Sequence, residues 1–155
     1  MRTQMHCCAV AVACLLALGG CSFESMNPAP PADTSPSLAG TAWTVTRLSD
    51  GKGGAASLVP GTNLTLEFGS DGRASGSAGC NRYATRYTTG AGGVLKLEPA
   101  AATRKMCMQP GVMEQEQHFL DALLGATSSR VEGDRLELRR GAGELLVEAA
   151  RAGAG

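Results

Sequence analysis

Alternation of apolar and polar positions dominates the chain after residue 40. Residues 41–49, TAWTVTRLS, are rich in β-branched side chains and put Trp43 and Val45 on one face. That pattern predicts a first strand with Trp43 as a core anchor. A glycine-rich stretch without periodicity follows at 50–62, and NLTLEF at 63–68 then alternates so that Leu64, Leu66 and Phe68 face inward. GSDG at 69–72 is a turn signal, and RASGSAG at 73–79 continues as the return strand of a hairpin. Its small residues imply close approach by another element. Residues 88–93, TTGAGG, read as a loop, 94–99 as a short strand, and 102–108 as extended chain stopped by Pro110.

Only one stretch has a convincing helical period. Within 110–126, Met113, Glu116, Leu120 and Leu123 recur at helical spacing, and Val112, Phe119 and Leu124 widen the apolar side. Pro110 suits the start, Glu114 and Glu116 suit the N-terminal dipole, and Gly125 suits the C-terminal cap. Beyond it SSRVE, DRLELRR and ELLVEAA are separated by Gly133-Asp134 and by GAG at 141–143, a meander of hairpins. Leu136 and Leu138 alternate with charged neighbours, so that strand buries one face. The expected fold class is α+β, a mainly antiparallel curved sheet with one helix packed against it.

The N-terminus follows a different pattern. Arg2 precedes CCAVAVACLLALGG at 7–20, an apolar run of secretory length that is too short to span a membrane. It ends in Leu18-Gly19-Gly20-Cys21, which resembles the lipobox of bacterial lipoproteins, where cleavage precedes a cysteine that carries diacylglycerol. An ordinary export signal is the alternative, and either implies export. Residues 22–37, SFESMNPAPPADTSPS, hold few large apolar side chains and read as a disordered tether. By the lipoprotein sorting rule, Ser22 after Cys21 implies the outer membrane, facing the periplasm. The expected organisation is a signal peptide at 1–20, a lipidated cysteine and linker at 21–37, one domain at 38–150 and a flexible tail at 151–155.

Charge and cysteine content narrow the chemistry. The chain has 14 basic and 14 acidic residues, 4% aromatics and no basic stripe in its sequence, which argues against nucleic acid as a partner. Of six cysteines, Cys7, Cys8 and Cys14 leave with the leader and Cys21 is committed to lipid. Cys80 and Cys107 remain, with one possible intrachain pairing in an oxidising compartment. The bridge would close a loop of about 28 residues, worth roughly 3–4 kcal/mol by chain entropy. The alternative is two buried free thiols packed as small hydrophobes.

GSAGCNRY at 76–83, TRKMCM at 103–108, MEQEQHFLDALLGA at 113–126 and RLELRRGAGELLVEA at 135–149 together resemble the META domain family. That family includes the bacterial heat-shock protein HslJ and many exported lipoproteins. The motif residues are Gly79, Cys80 and Asn81, with Tyr87 downstream, then Thr103 and Cys107. The usual second motif is closer to Thr-x-Met-Ala-Cys; here nothing separates Met106 from Cys107, so Met106 takes no family role. The resemblance implies a small curved sheet with one helix and an association with the cell envelope, stress tolerance and secretion. It brings no agreed catalytic activity.

Other chemistry finds little support. A cysteine nucleophile needs a base, and His118 on the helix is the only histidine left after export. Met106, Cys107, Met108, Cys80 and His118 offer soft ligands suited to Cu(I). In a strand, however, Met106 and Met108 point away from Cys107, and methionines there are more often core filler. Asn81 is expected to shape the turn after Cys80. Arg82 and Arg86 beside Tyr83 and Tyr87 are read as surface charge with structural tyrosines, or as a small recognition patch. Gly76 and Gly79 serve close backbone approach, since no Gly-Lys-Ser/Thr follows to make a phosphate loop. The expectation is a non-enzymatic, lipid-anchored envelope protein without cofactor or metal, a stress-related binding or chaperone-like module with an unknown envelope partner. The alternative is a carrier or sensor holding a small apolar ligand or lipid in a sheet–helix cleft.

Overall fold

The computed structural model describes residues 37–141 and 143–153. The signal peptide, the lipidation site at Cys21 and the tether, apart from Ser37, lie outside the described residues. No helix among the described residues is long and apolar enough to cross a membrane.

Strand β1 (Thr41–Ser49) opens the domain, and its burial departs from simple alternation. Trp43 and Val45 face inward, Thr46 and Arg47 are not buried, and Leu48 returns to the core. A register shift against the C-terminal strand between Val45 and Arg47 accounts for this. The bulge turns the arginine outward where strict alternation would bury it. Two residues, β2 (Ala55–Ala56), pair with the end of β1. β3 (Thr65–Phe68) and β4 (Arg73–Ser77) form the expected hairpin. A Cβ built on Gly76 would collide with the Thr65 carbonyl, so the close approach is made by the neighbouring strand's backbone.

β5 (Arg82–Gly90) is a nine-residue strand: the sequence pattern predicts no element over 82–87, and residues 88–90, expected as the start of a loop, continue the strand in its pairing with β6. Its alternation is strict: Tyr83, Thr85 and Tyr87 are buried, while Arg82, Ala84 and Arg86 are exposed. The tyrosines and arginines therefore occupy opposite faces and form no joint patch. β6 (Val94–Leu97) returns antiparallel, and β7 (Ala101–Ala102) adds a short pair to β5. Of the stretch expected as extended chain over 102–108, only Ala102 is paired in a strand, and residues 103–111 form a loop. Met106 and Met108 are 81% and 89% exposed, so the reading of them as core filler is overturned.

Helix α1 (Val112–Gly125) follows, entered through Gly111 in the left-handed region at φ 81°. Val112, Phe119, Ala122 and Leu123 are buried as the spacing requires, but Leu124 is half exposed and lies off the apolar stripe. β8 (Ser128–Glu132), β9 (Arg135–Arg140) and β10 (Glu144–Arg151) complete the meander. β10 runs past the expected domain end at 150. Arg151 sits 4.5 Å above the Trp43 ring and bonds Asp134 at 3.0 Å, and the Ala152 amide donates to the Ala42 carbonyl.

The sheet closes on itself. Antiparallel pairing runs β1–β3–β4–β5–β6–β8–β9–β10 and back to β1, an eight-stranded barrel with β2 and β7 as short additions. Closure removes the exposed edges that an open curved sheet would leave. The thinnest seam joins β6 to β8, where Val94 opposite Ser128 is the sole strand pair. Inward side chains fill the interior: Trp43, Leu64, Leu66, Phe68, Leu136, Leu138 and Val147 are at most 1% exposed. The helix sends Phe119, Ala122 and Leu123 into the same core and touches β6, β9 and β10. The α+β reading holds, with the curved sheet developed into a barrel.

Candidate functional site

All the motif residues but Tyr87 converge where the β4–β5 connection meets the helix and the 103–111 loop. Gly79 supplies the backbone conformation of this turn at φ 104°, and a side chain there would crowd the Gln115 amide. Asn81, expected to shape the turn, has a different part. Its side chain is 1% exposed and works as a buried polar hub.

Every hydrogen-bonding group of Asn81 is matched. Its backbone N–H donates to Glu116 Oε2 at 2.7 Å, and Nδ2 donates to Glu116 Oε1 at 2.8 Å. Nδ2 also donates to the Lys105 carbonyl at 3.2 Å. Oδ1 accepts from the Thr103 hydroxyl at 2.8 Å and from the Lys105 amide at 2.7 Å. The Asn81 carbonyl accepts from the Ala78 amide at 2.8 Å. A primary amide offers two donors and one oxygen with two lone pairs, so the side chain is saturated. One residue thus joins β5, the helix and the loop.

Neighbouring contacts extend this clamp. Thr103 Oγ1 also accepts from the Arg82 amide at 3.2 Å. Gln115 Oε1 accepts from the Val59 amide at 2.6 Å, and Gln115 Nε2 donates to Thr62 Oγ1 at 2.9 Å, tying the helix to the chain before β3. Cys80 and Cys107 are joined by a disulfide with Cα atoms 6.1 Å apart. No buried side-chain nitrogen or oxygen among the described residues lacks a partner. Gln115 and Glu116 are the functional-site residues that sequence reasoning missed. Their signal was present: Glu116 is a carboxylate at a position of the helix's apolar period, where only a partnered polar group is tolerated.

Tyr87 stands apart from this cluster. Its hydroxyl donates to the Gly69 carbonyl at 2.7 Å and its ring meets Phe68 edge-on at 5.0 Å. Tyr83 does the same for Thr65 and Phe119. Burial, reinforced by Glu67 beside Tyr83 and Asp71 beside Tyr87, raises both phenols above their ordinary value. They are neutral packing residues.

His118 lies on the outer side of the helix with Met113, Glu114 and Gln117 around a shallow concavity, and Cys80 Sγ is bonded to Cys107. The geometry offers no cysteine–histidine couple. No group of three or more His, Cys, Asp or Glu side chains suited to a metal occurs among the described residues.

On the opposite strands the charges are paired. Glu137 is flanked by Arg139 at 2.7 Å and Arg135 at 2.6 Å on the outer face of β9. The hydrogen bond from Arg139 is the main reason its carboxyl is held below the usual range, with the charges of Arg139, Arg135 and Arg130 adding to it.

A closed antiparallel barrel with one helix, whose motif residues meet in a cross-linked polar clamp, defines a small barrel-domain protein. The sequence model of the META domain matches residues 36–153, and the chain belongs to the META domain family. It is similar to an NMR structure of a protein from Burkholderia xenovorans, with TM-score 0.63 and 27% identity over 75% of this chain and 84% of that one. It also shares its fold with a crystal structure of a DUF4847 family protein from Bacteroides vulgatus, with TM-score 0.50 and 14% identity over 73% and 93% of the two chains. A search of curated proteins finds no match.

Proposed function

We propose that this META-domain protein is a lipid-anchored component of the bacterial envelope that acts by binding rather than by catalysis. Cys21 carries the lipid, residues 22–37 extend from it, and the barrel presents a rigid surface to an envelope partner under stress. The observation that carries this reading over the carrier alternative is the filled barrel. Trp43, Phe68, Phe119 and the inward leucines occupy the space where an internal ligand would sit. The concavities are at the surface: a wide-open hollow of about 520 Å³ on the helix is lined by Met113, Glu114, Gln117, His118 and Asp121, and one of about 430 Å³ is lined by the exposed Thr89, Arg130 and Glu132 beside Leu38 and Val131. A mixed, solvent-facing lining of this kind does not suit an apolar ligand. Exposed apolar side chains lie instead outside the barrel, at Met106 and Met108.

The test is crosslinking in intact envelopes under heat stress, followed by mass spectrometry against a Cys21→Ala control. Reproducible enrichment of one envelope protein with the anchored form supports the reading. Retention of one lipid or apolar molecule per chain after detergent exchange, with no protein enriched, overturns it in favour of a carrier.

A further inference from the structure

The distribution of ion pairs divides the barrel surface. On β8, β9 and β10 each arginine is matched: Arg130 by Glu132, Arg135 by Glu137 and Glu148, Arg139 by Glu137, Arg140 by Glu144, and Arg151 by Asp134. Around β5 the pattern reverses. Arg82, Arg104 and Lys105 are exposed and take part in none of the ion pairs of the described residues. The backbone pairing gathers them: the Thr103 amide donates to the Arg82 carbonyl, which places Arg104 and Lys105 beside the start of β5. The sequence alone separates these cations by more than 20 positions; the β5–β7 pairing unites them.

Met106 and Met108 follow directly, almost fully in water. They cannot retreat easily into the core, because the disulfide at Cys107 and the Asn81 bonds to Thr103 and Lys105 pin the loop on both sides of Met106. Cations beside exposed, flexible apolar side chains on a rigid tip match the chemistry of a bilayer interface. Lysine and arginine meet lipid phosphates while the apolar groups enter the headgroup–acyl boundary.

We infer that the 103–108 loop, with Arg82, docks the barrel on an anionic lipid surface. The occupant is a bilayer bearing acidic headgroups, not a soluble acidic protein, because the two methionines need an apolar phase that a charged partner surface does not supply. The tether does not select the face. Sixteen residues from Cys21 to Ser37 reach about 50 Å when extended, against a radius of gyration of about 13 Å for a domain this size. Any side of the barrel reaches the membrane, so charge and apolarity choose. Glu98, exposed just past β6 with its amide bonded to the Arg86 carbonyl, is a carboxylate on the β5 side that opposes this attraction. This inference goes beyond the proposed function and does not require lipidation.

The experiment uses a chain beginning at Ser22, which lacks leader and anchor but keeps the barrel intact, since the core draws on residues 38–149 alone. Flotation is measured with vesicles of phosphatidylcholine, with and without 30% (about one lipid in three) phosphatidylglycerol. Binding is expected with the anionic vesicles and should weaken as salt rises. Arg104→Gln with Lys105→Gln should lower the partition coefficient about thirtyfold, at about fivefold per charge. Met106→Ser with Met108→Ser should lower it severalfold while keeping the salt dependence. Both variants change exposed side chains only, and an unchanged thermal melt verifies the fold. Equal flotation with neutral and anionic vesicles overturns the inference. So does undiminished binding by the methionine variant, which would mean contact through charge alone. Because no anchor is present, failure here leaves the lipoprotein reading untouched, and the envelope crosslinking result leaves this one untouched.

Discussion

Replacing Asn81 with alanine should be among the most damaging single changes in the domain. The substitution leaves the backbone donation to Glu116 Oε2 but removes the Nδ2 donor from Glu116 Oε1, from a carboxylate that is 7% exposed. A hydrogen bond to a charged group contributes about 1.5–3 kcal/mol. The Thr103 hydroxyl and the Lys105 amide also lose their acceptor. Those neutral bonds contribute about 1 kcal/mol each, less where the loop admits water. The expected loss is about 3–5 kcal/mol, a large part of the ~5–15 kcal/mol that holds a typical domain. Urea unfolding with the disulfide intact, followed by Trp43 fluorescence, measures it. A double-mutant cycle with Glu116→Ala should give a coupling of at least about 1 kcal/mol, since the two side chains share the Nδ2–Oε1 bond. A loss below about 1 kcal/mol for Asn81→Ala, or a coupling near zero, would refute the hub. Asn81→Asp sharpens the reasoning: it sets a second carboxylate against Glu116, so it should destabilise more than alanine at neutral pH.

Three further outcomes follow from the same geometry. Reducing the disulfide, or changing both Cys80 and Cys107 to serine, opens a loop of sequence separation 27 and should cost about 3–4 kcal/mol in the same unfolding assay. Gly76→Ala should cost about 1–3 kcal/mol or more, because the new Cβ meets the Thr65 backbone rather than a movable side chain. Glu137 titrates below its ordinary value in the fold, so its contribution is complete above the unfolded carboxylate pKa and is lost as pH falls through the folded one. The thermal melts of Glu137→Gln and the parent should therefore differ at neutral pH, begin to converge as pH falls below the ordinary glutamate value of about 4.3, and meet only below the lower folded one.

The strands were legible wherever one face is wet and the other dry. β1, β3, β6 and the β8–β10 meander follow from period-two patterns, and the helix from its single apolar stripe. β5 escaped because its inward positions are Tyr83, Thr85 and Tyr87, whose hydroxyls make them read as polar against the arginines between them. Inside the barrel those hydroxyls bond carbonyls of Thr65, Glu98 and Gly69, which lets them be buried. Barrel closure was equally hidden, since the β1–β10 pairing joins strands at opposite ends of the domain. For the site, the motif positions were readable but not their roles. Nothing local distinguishes an asparagine that shapes a turn from one that bonds a glutamate 35 positions away. That requires knowing where the helix packs.

The clamp also explains how two methionines stay in water. Burying both would gain about 3–6 kcal/mol, so an unconstrained loop would fold them onto the barrel. Opposing this are the covalent link that fixes Cys107 to Cys80, which no rearrangement of the folded loop breaks, and the loop's bonds to Asn81, at about 1 kcal/mol each. The bonds alone are comparable to or smaller than the gain from burial, so the loop should hold its exposed form only while the disulfide is intact. Peroxide oxidation followed by peptide mass spectrometry reads this directly. In the oxidised protein Met106 and Met108 should oxidise well ahead of the half-buried Met113. In the Cys80→Ser, Cys107→Ser variant, under conditions where Trp43 fluorescence shows the barrel folded, they should slow toward the Met113 rate. If Met106 and Met108 keep their full reactivity in that variant, the loop is held out by something other than the clamp. The exposed tip would then be an intrinsic property of residues 103–108 and not a consequence of the motif.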